Sequence, residues 1–360
     1  MASRVTLACV ILMIAATAAA QEAHPSALAI DTTAETDEAI DQNGNRATGV
    51  LLDSVVSLAL GHGFEGITRP FVQRLSSTGE WNRQVWVAAL RYERAGSIGV
   101  RVDAGLIPSP VGYSNLMLRP HLNPTVTPPI SMFVPLPAAE RAGPRATLLG
   151  ALYPMGVNAT ISSRWWDARV AVMDTSPLRP RRVFASRESG FRNPPRFTNV
   201  AVGGGITPTI GLRIGASVTR GGWLKAGESA TNAVDRQATV VTVETEYSVR
   251  YTKLAAEWTH DALATSNGHI TASGWYVQGQ QILAPRWFAA ARLEHMDAPV
   301  LLIANSTFAS LDYRGTEEVI GFRLTPEITI RAGHRAREPF GTTTYLHAAT
   351  MSVVWWRRWK

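Results

Sequence analysis

Apolar and polar residues alternate with a period of two along most of the chain. Between Ile210 and Val218 every second residue is apolar, and the residues between them are small or polar. Successive side chains of a β-strand point to opposite faces, so this pattern predicts strands with one apolar and one polar face. The same alternation recurs in other stretches, among them 166–172, 241–250, 254–259, 320–325 and 328–333.

Fifteen such strands can be counted along the chain, near 51–61, 66–75, 81–93, 97–107, 155–163, 166–175, 198–206, 209–219, 237–248, 251–261, 268–280, 286–297, 316–325, 328–337 and 344–356. If the short turns and the C-terminus lie at one end, the strand at 51–61 needs a partner before it. Ala27 to Thr33 is the best candidate. The alternative is that Asp37 to Arg46 is disordered, and one error in a strand boundary changes the count by two. The sequence therefore predicts an all-β fold of about sixteen strands, within about fourteen to eighteen.

The connections between these strands alternate between short and long. Short ones include 93–96, 163–165, 207–209, 248–251, 283–286 and 325–327. Long ones include the stretch after residue 107, and 176–197, 221–237 and 297–316. Outer-membrane barrels have short turns at one end and long loops at the other, whereas a soluble Greek-key sandwich has no reason to sort its loops in this way. The pattern predicts a transmembrane antiparallel β-barrel.

The longest connection follows the strand at 97–107 and contains nine prolines between residues 108 and 144. Proline is excluded from a helix interior and from a central strand, so this stretch is a loop. Its apolar residues, such as Leu116, Met132 and Phe133, are too numerous for a disordered segment. We expect 108–144 to be an ordered constriction loop that folds inward and narrows the lumen of the barrel.

The N-terminus has the features of a secretory signal. Residues 1–20 contain Arg4, an apolar run and three alanines before Gln21, which is typical of a cleaved signal peptide. The single cysteine, Cys9, lies in this segment, so the exported chain has no disulfide. No other stretch has about 18 consecutive apolar residues, so no helix is expected to span a membrane. We divide the chain into a signal peptide at 1–20, an N-terminal segment at 21–47 that can hold the first strand, and a barrel at 48–360.

The composition shows that the chain carries a net positive charge. Lysine and arginine number 35 against 28 acidic residues, a net charge of +7, and only three of the basic residues are lysines. The mean hydropathy near zero does not distinguish a barrel from a soluble protein, because barrel strands alternate and average out. On composition alone, a soluble periplasmic β-protein stays open.

The last strand carries a second signal. Counted back in twos from Trp359, it alternates and ends with an aromatic residue next to the terminus. This resembles the C-terminal strand of bacterial outer-membrane proteins, which the barrel-assembly machinery reads, although Arg357, Arg358 and Lys360 interrupt the pattern. Several tryptophans suit an interfacial aromatic belt, namely Trp165, Trp166, Trp355, Trp356 and Trp359.

The segment VRVDAGLIPSPVG and the loop after it resemble the porins, especially the phosphate-selective porins O and P. In that family a strand ending in glycine and a Pro-x-Gly-like step lead into a loop that folds into the pore. The matching residues here are Gly105, Pro108, Pro110 and Gly112. The resemblance implies a channel and a homotrimer. It does not extend to phosphate selectivity, because the family's phosphate sites rely on lysine-rich rings, which Lys225, Lys253 and Lys360 cannot build.

The alternation also predicts which charges face inward. If the apolar faces meet lipid, the residues that line the pore are Arg101, Asp103, Arg169, Arg213, Arg292, Arg323, Arg331 and Arg335. This excess of arginine favours a weak anion preference, and ion pairs that merely fill a polar lumen are the alternative. In the loop, the candidates for the constriction are His121, Asn123, Glu140 and Arg141.

No catalytic or metal-binding arrangement emerges from the sequence. His260 next to Asp261, and Glu294 next to His295, are strand neighbours whose side chains point to opposite faces. We find no nucleophile elbow, phosphate-binding loop or paired-histidine motif. We therefore expect no enzyme, metal or cofactor. The enzymatic alternative is a barrel lipase with an exposed serine and histidine.

An arginine-rich stretch lies in the predicted external loop at 176–197, where aromatic residues stand among the arginines. Such interleaving occurs in nucleic-acid-binding proteins. In an exported barrel we expect a solvated cluster that meets lipopolysaccharide or anionic solutes, and no nucleic acid.

Together these observations predict an outer-membrane porin, a passive diffusion channel for small hydrophilic solutes with a weak anion preference. Its expected partners are outer-membrane lipid and lipopolysaccharide, those solutes and the barrel-assembly machinery. The alternatives are a non-conducting outer-membrane barrel with an adhesive, structural or lipid-directed role, and the soluble periplasmic β-protein.

Overall fold

The computed structural model describes residues 28–74, 81–136, 146–150, 153–179, 196–229, 232–266, 268–302, 307–339 and 342–359. Within these residues, sixteen antiparallel strands form one closed barrel in which each strand pairs with its neighbours in sequence and β1 pairs with β16. The predicted fold class and strand number are confirmed. The signal peptide at 1–20 lies outside the described residues.

The strands are β1 (Leu28–Asp41), β2 (Arg46–Gly61), β3 (Phe64–Arg74), β4 (Trp81–Arg94), β5 (Gly99–Leu106), β6 (Met155–Ser162), β7 (Trp166–Met173), β8 (Asn199–Thr209), β9 (Leu212–Leu224), β10 (Arg236–Val249), β11 (Thr252–Thr265), β12 (Gly268–Ala284), β13 (Trp287–Leu302), β14 (Thr307–Arg323), β15 (Ile328–Glu338) and β16 (Leu346–Trp359).

Closure of the barrel lengthens the first and last strands beyond their predicted ends. β1 continues past Thr33 to Asp41 because β2 and β16 pair with it on both sides. β16 continues to Trp359, where Arg357 and Arg358 lie opposite residues of β1. An edge strand would leave these backbone groups unpaired, whereas a closed barrel has no edge.

The two faces of the wall differ as the alternation predicts. The outer face presents exposed apolar side chains such as Leu254, Trp258 and Val277, and the inner face of the same region carries Glu257 and Thr259. Exposed tryptophans lie near the turns at one end, at positions 165, 166, 287 and 359. No helix in the described part of the chain is both long and apolar enough to cross a membrane.

One polar cluster interrupts the outer face on β14 to β16. Oε2 of Glu318 lies 3.3 Å from Nδ1 of His334, and Nε2 of that histidine lies 3.1 Å from Nδ1 of His347. Below this cluster, the outward residues Ile320 and Leu324 are exposed and apolar. The outer face is therefore less apolar here than on β9 to β11.

The two ends of the barrel have different connections. At one end, which we call the short-turn end, seven connections have two to four residues. The opposite end holds the two longest connections, between β5 and β6 and between β7 and β8. The predicted long loop at 297–316 is wrong, because β13 and β14 continue as a paired hairpin in which Pro299 lies opposite Ser310. The loop predicted at 221–237 is also shorter, since β9 ends at Leu224 and β10 begins at Arg236.

The connection between β5 and β6, residues 107–154, lies against the inner face of the wall, and we call it the inner loop. It contains a 3₁₀ turn (Ser114–Leu118) and one helical turn, α1 (Ile130–Phe133). Its side chains Val111, Met132, Leu148 and Leu149 are buried in one cluster with the inner face of β7 to β14. This apolar cluster explains why a proline-rich segment keeps a fixed path inside the barrel.

A smaller cluster holds the returning end of the inner loop. The ring of Tyr153 stacks on Trp86 at 4.9 Å between centroids, and Trp86 stacks on Phe71 at 3.7 Å. The guanidinium of Arg69 binds both oxygens of Asp53 and donates to the Tyr153 hydroxyl at 2.6 Å. The loop is thus attached on opposite sides of the lumen.

Candidate functional site

Carboxylates of the wall accept hydrogen bonds from the backbone of the inner loop. Oε2 of Glu257 accepts from the N–H groups of Tyr113 and Ser114 at 3.0 and 2.7 Å. Glu294 accepts from the N–H of Ser131 at 2.8 Å. Glu317 accepts from the N–H groups of residues 126 and 127, each at 3.2 Å to Oε1. An irregular loop has no ladder of its own, so these wall carboxylates satisfy donors that would otherwise be buried unpaired.

Two arginines of the wall bind the loop's carbonyl groups. Arg292 donates to the Thr127 carbonyl and to the Thr125 hydroxyl, both at 2.6 Å, and it pairs with Glu317 at 2.9 Å. Arg331 donates to the carbonyls of residues 123 and 125 at 2.6 Å and forms an ion pair with Glu35. Both arginines were predicted to line the pore, and both do lie on the inner face. Their side chains are 1% and 2% exposed, so they lie beneath the loop and hold it.

A third attachment joins the loop to β1, β2 and β16. Arg119 pairs with Asp31 at 2.9 Å and lies 3.5 Å from Asp53. His121 Nδ1 lies 2.6 Å from the hydroxyl of Thr33, and its ring stacks on Trp356 at 5.3 Å.

Two of the predicted constriction residues are therefore engaged in holding the loop. His121 takes part in the third attachment, and Asn123 is buried and donates to the Thr127 carbonyl at 2.7 Å. Glu140 and Arg141 lie outside the described residues.

The wall from β4 to β10 carries a strip of charged inner-face residues. Asp103 is shared by Arg91 at 2.7 Å and Arg101 at 3.2 Å. In the same way, Glu244 is shared by Arg169 at 3.4 Å and Arg213 at 2.7 Å. The Arg101 side chain is 42% exposed and that of Arg213 is 31% exposed, so part of this strip faces open lumen.

Three inner-face arginines on β14 and β15 differ from this strip. Arg323, Arg335 and Arg337 have no carboxylate within 4.0 Å in the described ranges. Arg323 is exposed, and the other two are partly buried. Among the described residues, these three arginines place unpaired positive charge on this side of the barrel.

Sequence reasoning missed the residues that position the loop. Glu257 and Glu317 share the inner face with their polar strand neighbours, so their orientation could be predicted, but their partners are backbone groups 144 and 190 positions away in sequence. For Arg119 and Asp53, no pattern in the chain indicates that they meet.

Gly112 allows the loop's first contact with the wall. It has φ +73, and a Cβ built at this position would lie 2.3 Å from Oε1 of Glu257 and 2.7 Å from Cδ1 of Leu149. We expect Gly112→Ala to add about 1–2 kcal/mol of backbone strain and to push the loop off Glu257. Limited proteolysis and thermal unfolding in detergent should show both effects.

Gly227→Ala is the matched control for this variant. Gly227 has φ +81, and no atom lies within 4 Å of a Cβ built there. Its substitution therefore adds backbone strain but no steric clash with the wall. If protease cuts the inner loop at the same rate in both variants, the contact with Glu257 does not position the loop.

His121 makes one attachment sensitive to pH. Burial lowers the pKa of His121 to about 4 from 6.5, and the charges of Arg119 and Arg69 act in the same direction, against Asp31 and Asp53. The unfolded chain takes up the proton near pH 6.5 and the folded chain only near 4, so the stabilisation is complete above about 6.5 and falls between 6.5 and 4. We expect the protection of residues 119–127 from hydrogen exchange, taken relative to the intrinsic exchange rate at each pH, to fall as the pH drops from 6.5 to 4.

His121→Gln should remove this pH dependence, because its amide does not titrate. If the protection of residues 119–127 still falls with pH in His121→Gln, groups other than His121 cause the effect.

A further loop residue, Tyr113, donates its hydroxyl to Glu246. Burial, and after it that hydrogen bond, raises the pKa of Tyr113.

The residue pair His260 and Asp261 does not come together in the structure. His260 points outward and Asp261 inward, as adjacent strand residues must. Across the described ranges, no group of three or more His, Cys, Asp and Glu side chains could hold a metal ion.

Comparison with known proteins identifies the architecture. No protein-family model matches the chain, and no curated protein matches it in sequence. Among solved structures, OmpF of Salmonella typhi in complex with daunomycin is similar, with a TM-score of 0.62, 10% identity and coverage of 92% of this chain and 97% of that one.

Two further porin-fold structures align over a similar extent. The trimer form of OmpT, an outer-membrane protein of Vibrio cholerae, gives a TM-score of 0.58, and an anion-selective porin from Comamonas acidovorans gives 0.56. Both are 10% identical and cover 92% of this chain and 99% of their own. At this identity the likeness shows that the chain has the fold of the sixteen-strand porins.

Proposed function

We propose that the protein is an outer-membrane porin, a passive diffusion channel for small hydrophilic solutes with a weak anion preference. The observation that carries this proposal is the inner loop, which the wall carboxylates and arginines hold inside a closed sixteen-strand barrel. A barrel of this size leaves an aqueous lumen. The exposed arginines beside the loop supply the charged lining that such a channel uses.

The anion preference follows from how the charges pair. On β4 to β10 the buried acids Asp103 and Glu244 each pair with two arginines, and on β14 and β15 three arginines have no acid within 4.0 Å among the described residues. These three unpaired arginines place positive charge along the lumen, which favours anions. The proposal does not include phosphate selectivity, because the three lysines of this chain cannot build the lysine-rich rings of the porins O and P.

Localisation and partners follow from the same reading. The signal peptide and the porin fold support export to the outer membrane, with lipid and lipopolysaccharide around the barrel and assembly by the barrel-assembly machinery. The resemblance to porins supports a homotrimer.

Single-channel recording in planar bilayers tests the channel. The purified protein should give stepwise conductance, and a KCl gradient should give a reversal potential on the anion-selective side. Arg335→Gln combined with Arg337→Gln should move that potential towards zero, whereas Arg314→Gln, which removes an exposed charge paired with Asp312 on the outer face, should not. A folded protein that leaves the bilayer silent would reject the proposal.

The second candidate is a non-conducting outer-membrane barrel with an adhesive, structural or lipid-directed role. The apolar cluster between the inner loop and β7 to β14 favours it, because large side chains such as Met132, Trp223 and Tyr276 occupy part of the lumen. A silent bilayer together with a folded, membrane-inserted barrel would support this candidate.

A further inference from the structure

A cleft of about 230 Å³ lies between the inner loop and the wall near the short-turn end. The loop residues 120–124 form one side, and inner-face residues of β12 to β16 form the other. Pro326 and Glu327, from the turn between β14 and β15, lie at its rim. The cleft therefore opens towards the mouth that faces the periplasm in outer-membrane barrels.

Arg323 is the cleft's available cation. Arg331 also lines the cleft, but its donors are taken by the loop carbonyls, Ser352 and Glu35. The imidazole of His121 is neutral at pH 7, since its pKa lies near 4. By contrast, Arg323 is exposed and has no carboxylate within 4.0 Å among the described residues.

The surroundings of this guanidinium combine polar and apolar groups. Its carbon Cζ lies 5.8 Å from the ring centre of Phe288. Gln280 and Thr329 line the same cleft and can donate hydrogen bonds, while Phe288, Val354 and Pro124 supply apolar surface. A planar fork beside donors and apolar walls suits a carboxylate that carries a short hydrocarbon tail.

We propose that this cleft is a binding site for small monocarboxylates, with the carboxylate on Arg323 and the tail against Phe288 and Val354. The proposal names a solute class for the channel and rests on the proposed function for the route by which the solute enters. Binding itself requires no current.

Size and charge define the class. A cleft of about 230 Å³ has room for a short-chain or single-ring acid. Glu327 at the rim opposes a second negative charge. Monocarboxylates should therefore bind more tightly than dicarboxylates of similar length.

Saturation-transfer NMR on the detergent-solubilised full chain tests the site, with propionate and benzoate as probes and succinate as a comparator. Inorganic phosphate has no carbon-bound proton to observe, so its binding is measured by competition against propionate. We expect saturable binding of both probes, weaker binding of succinate and weak competition by phosphate. Arg323→Gln should weaken propionate binding about tenfold or more, because a charge-assisted bidentate contact is lost. The propionate affinity of Arg323→Lys should lie between those of the unaltered chain and Arg323→Gln.

Arg286→Gln is the matched control, because Arg286 is exposed in the turn between β12 and β13 at the same end and does not line the cleft. It should bind propionate within about twofold of the unaltered chain, as a distant, screened charge contributes little. Equal losses in Arg323→Gln and Arg286→Gln, binding that Arg323→Gln leaves unchanged, or phosphate binding as tight as propionate would each overturn the proposal.

The NMR result separates this proposal from the channel function. Propionate binding that depends on Arg323 in a barrel with no conductance would support the site and reject the channel. Stepwise conductance without saturable propionate binding would support the channel and reject the site.

Discussion

Replacing Arg292 with methionine should release the inner loop and lower the free energy of unfolding by about 3–5 kcal/mol, because it leaves a buried acid without its cation. Arg292 is 1% exposed, and it joins the loop residues Thr125 and Thr127 to Glu317. Methionine keeps much of the volume but none of the donors. Urea unfolding of the barrel in lipid vesicles measures the loss, and limited proteolysis should cut the inner loop faster.

Arg314→Met is the control for this experiment. Arg314 pairs with Asp312 at 3.4 Å, both side chains are about half exposed, and such surface pairs contribute about 0–1 kcal/mol. If Arg292→Met and Arg314→Met unfold at the same urea concentration and resist protease equally, wall arginines do not hold the loop.

Replacing residues 108–149 with a short Gly-Ser linker should raise the single-channel conductance severalfold. The strands of the barrel pair only with one another, so closure does not depend on the loop. Removal of the loop should clear the middle of the lumen, where its side chains now pack on the wall. Recording in planar bilayers measures the change, and the conductance should also become less anion-selective as water fills the space.

Shortening the connection at 342–345 gives a matched control, since its residues are exposed at the same end of the barrel. That variant should conduct as the unaltered chain does. Equal conductance in both variants would mean that the inner loop does not limit the flow of ions.

The fold was largely predictable because the barrel repeats one simple rule. Alternation alone predicts that Leu254 lies on the outer face of the wall and Glu257 on the inner face, and therefore which face meets lipid. The prediction failed where pairing overrides local pattern. β1 extends to Asp41 because two neighbours hold it, and the hairpin of β13 and β14 includes Pro299.

The candidate site was predictable only in part. Alternation placed Arg292 and Arg331 on the inner face, but it could not show that the loop covers them. That depends on where an irregular backbone presents its carbonyls, for example that of Asn123, and no periodicity describes such a path. The orientation of a strand residue is a local property, whereas its burial here is a property of a distant loop.

The polar cluster of Glu318, His334 and His347 has a consequence for the membrane itself. Below it, the outward apolar residues of β14 and of the turn after it run only from Ile320 to Leu324. This stretch spans roughly 10 Å at about 3.3 Å per residue and a strand tilt of about 40°. The apolar band of such barrels is about 25 Å tall, so lipid on this side must thin to match the wall. Because hydrophobic mismatch costs a fraction of a kcal/mol for each ångström, contact with lipid is less favourable on this side of the barrel than on β9 to β11.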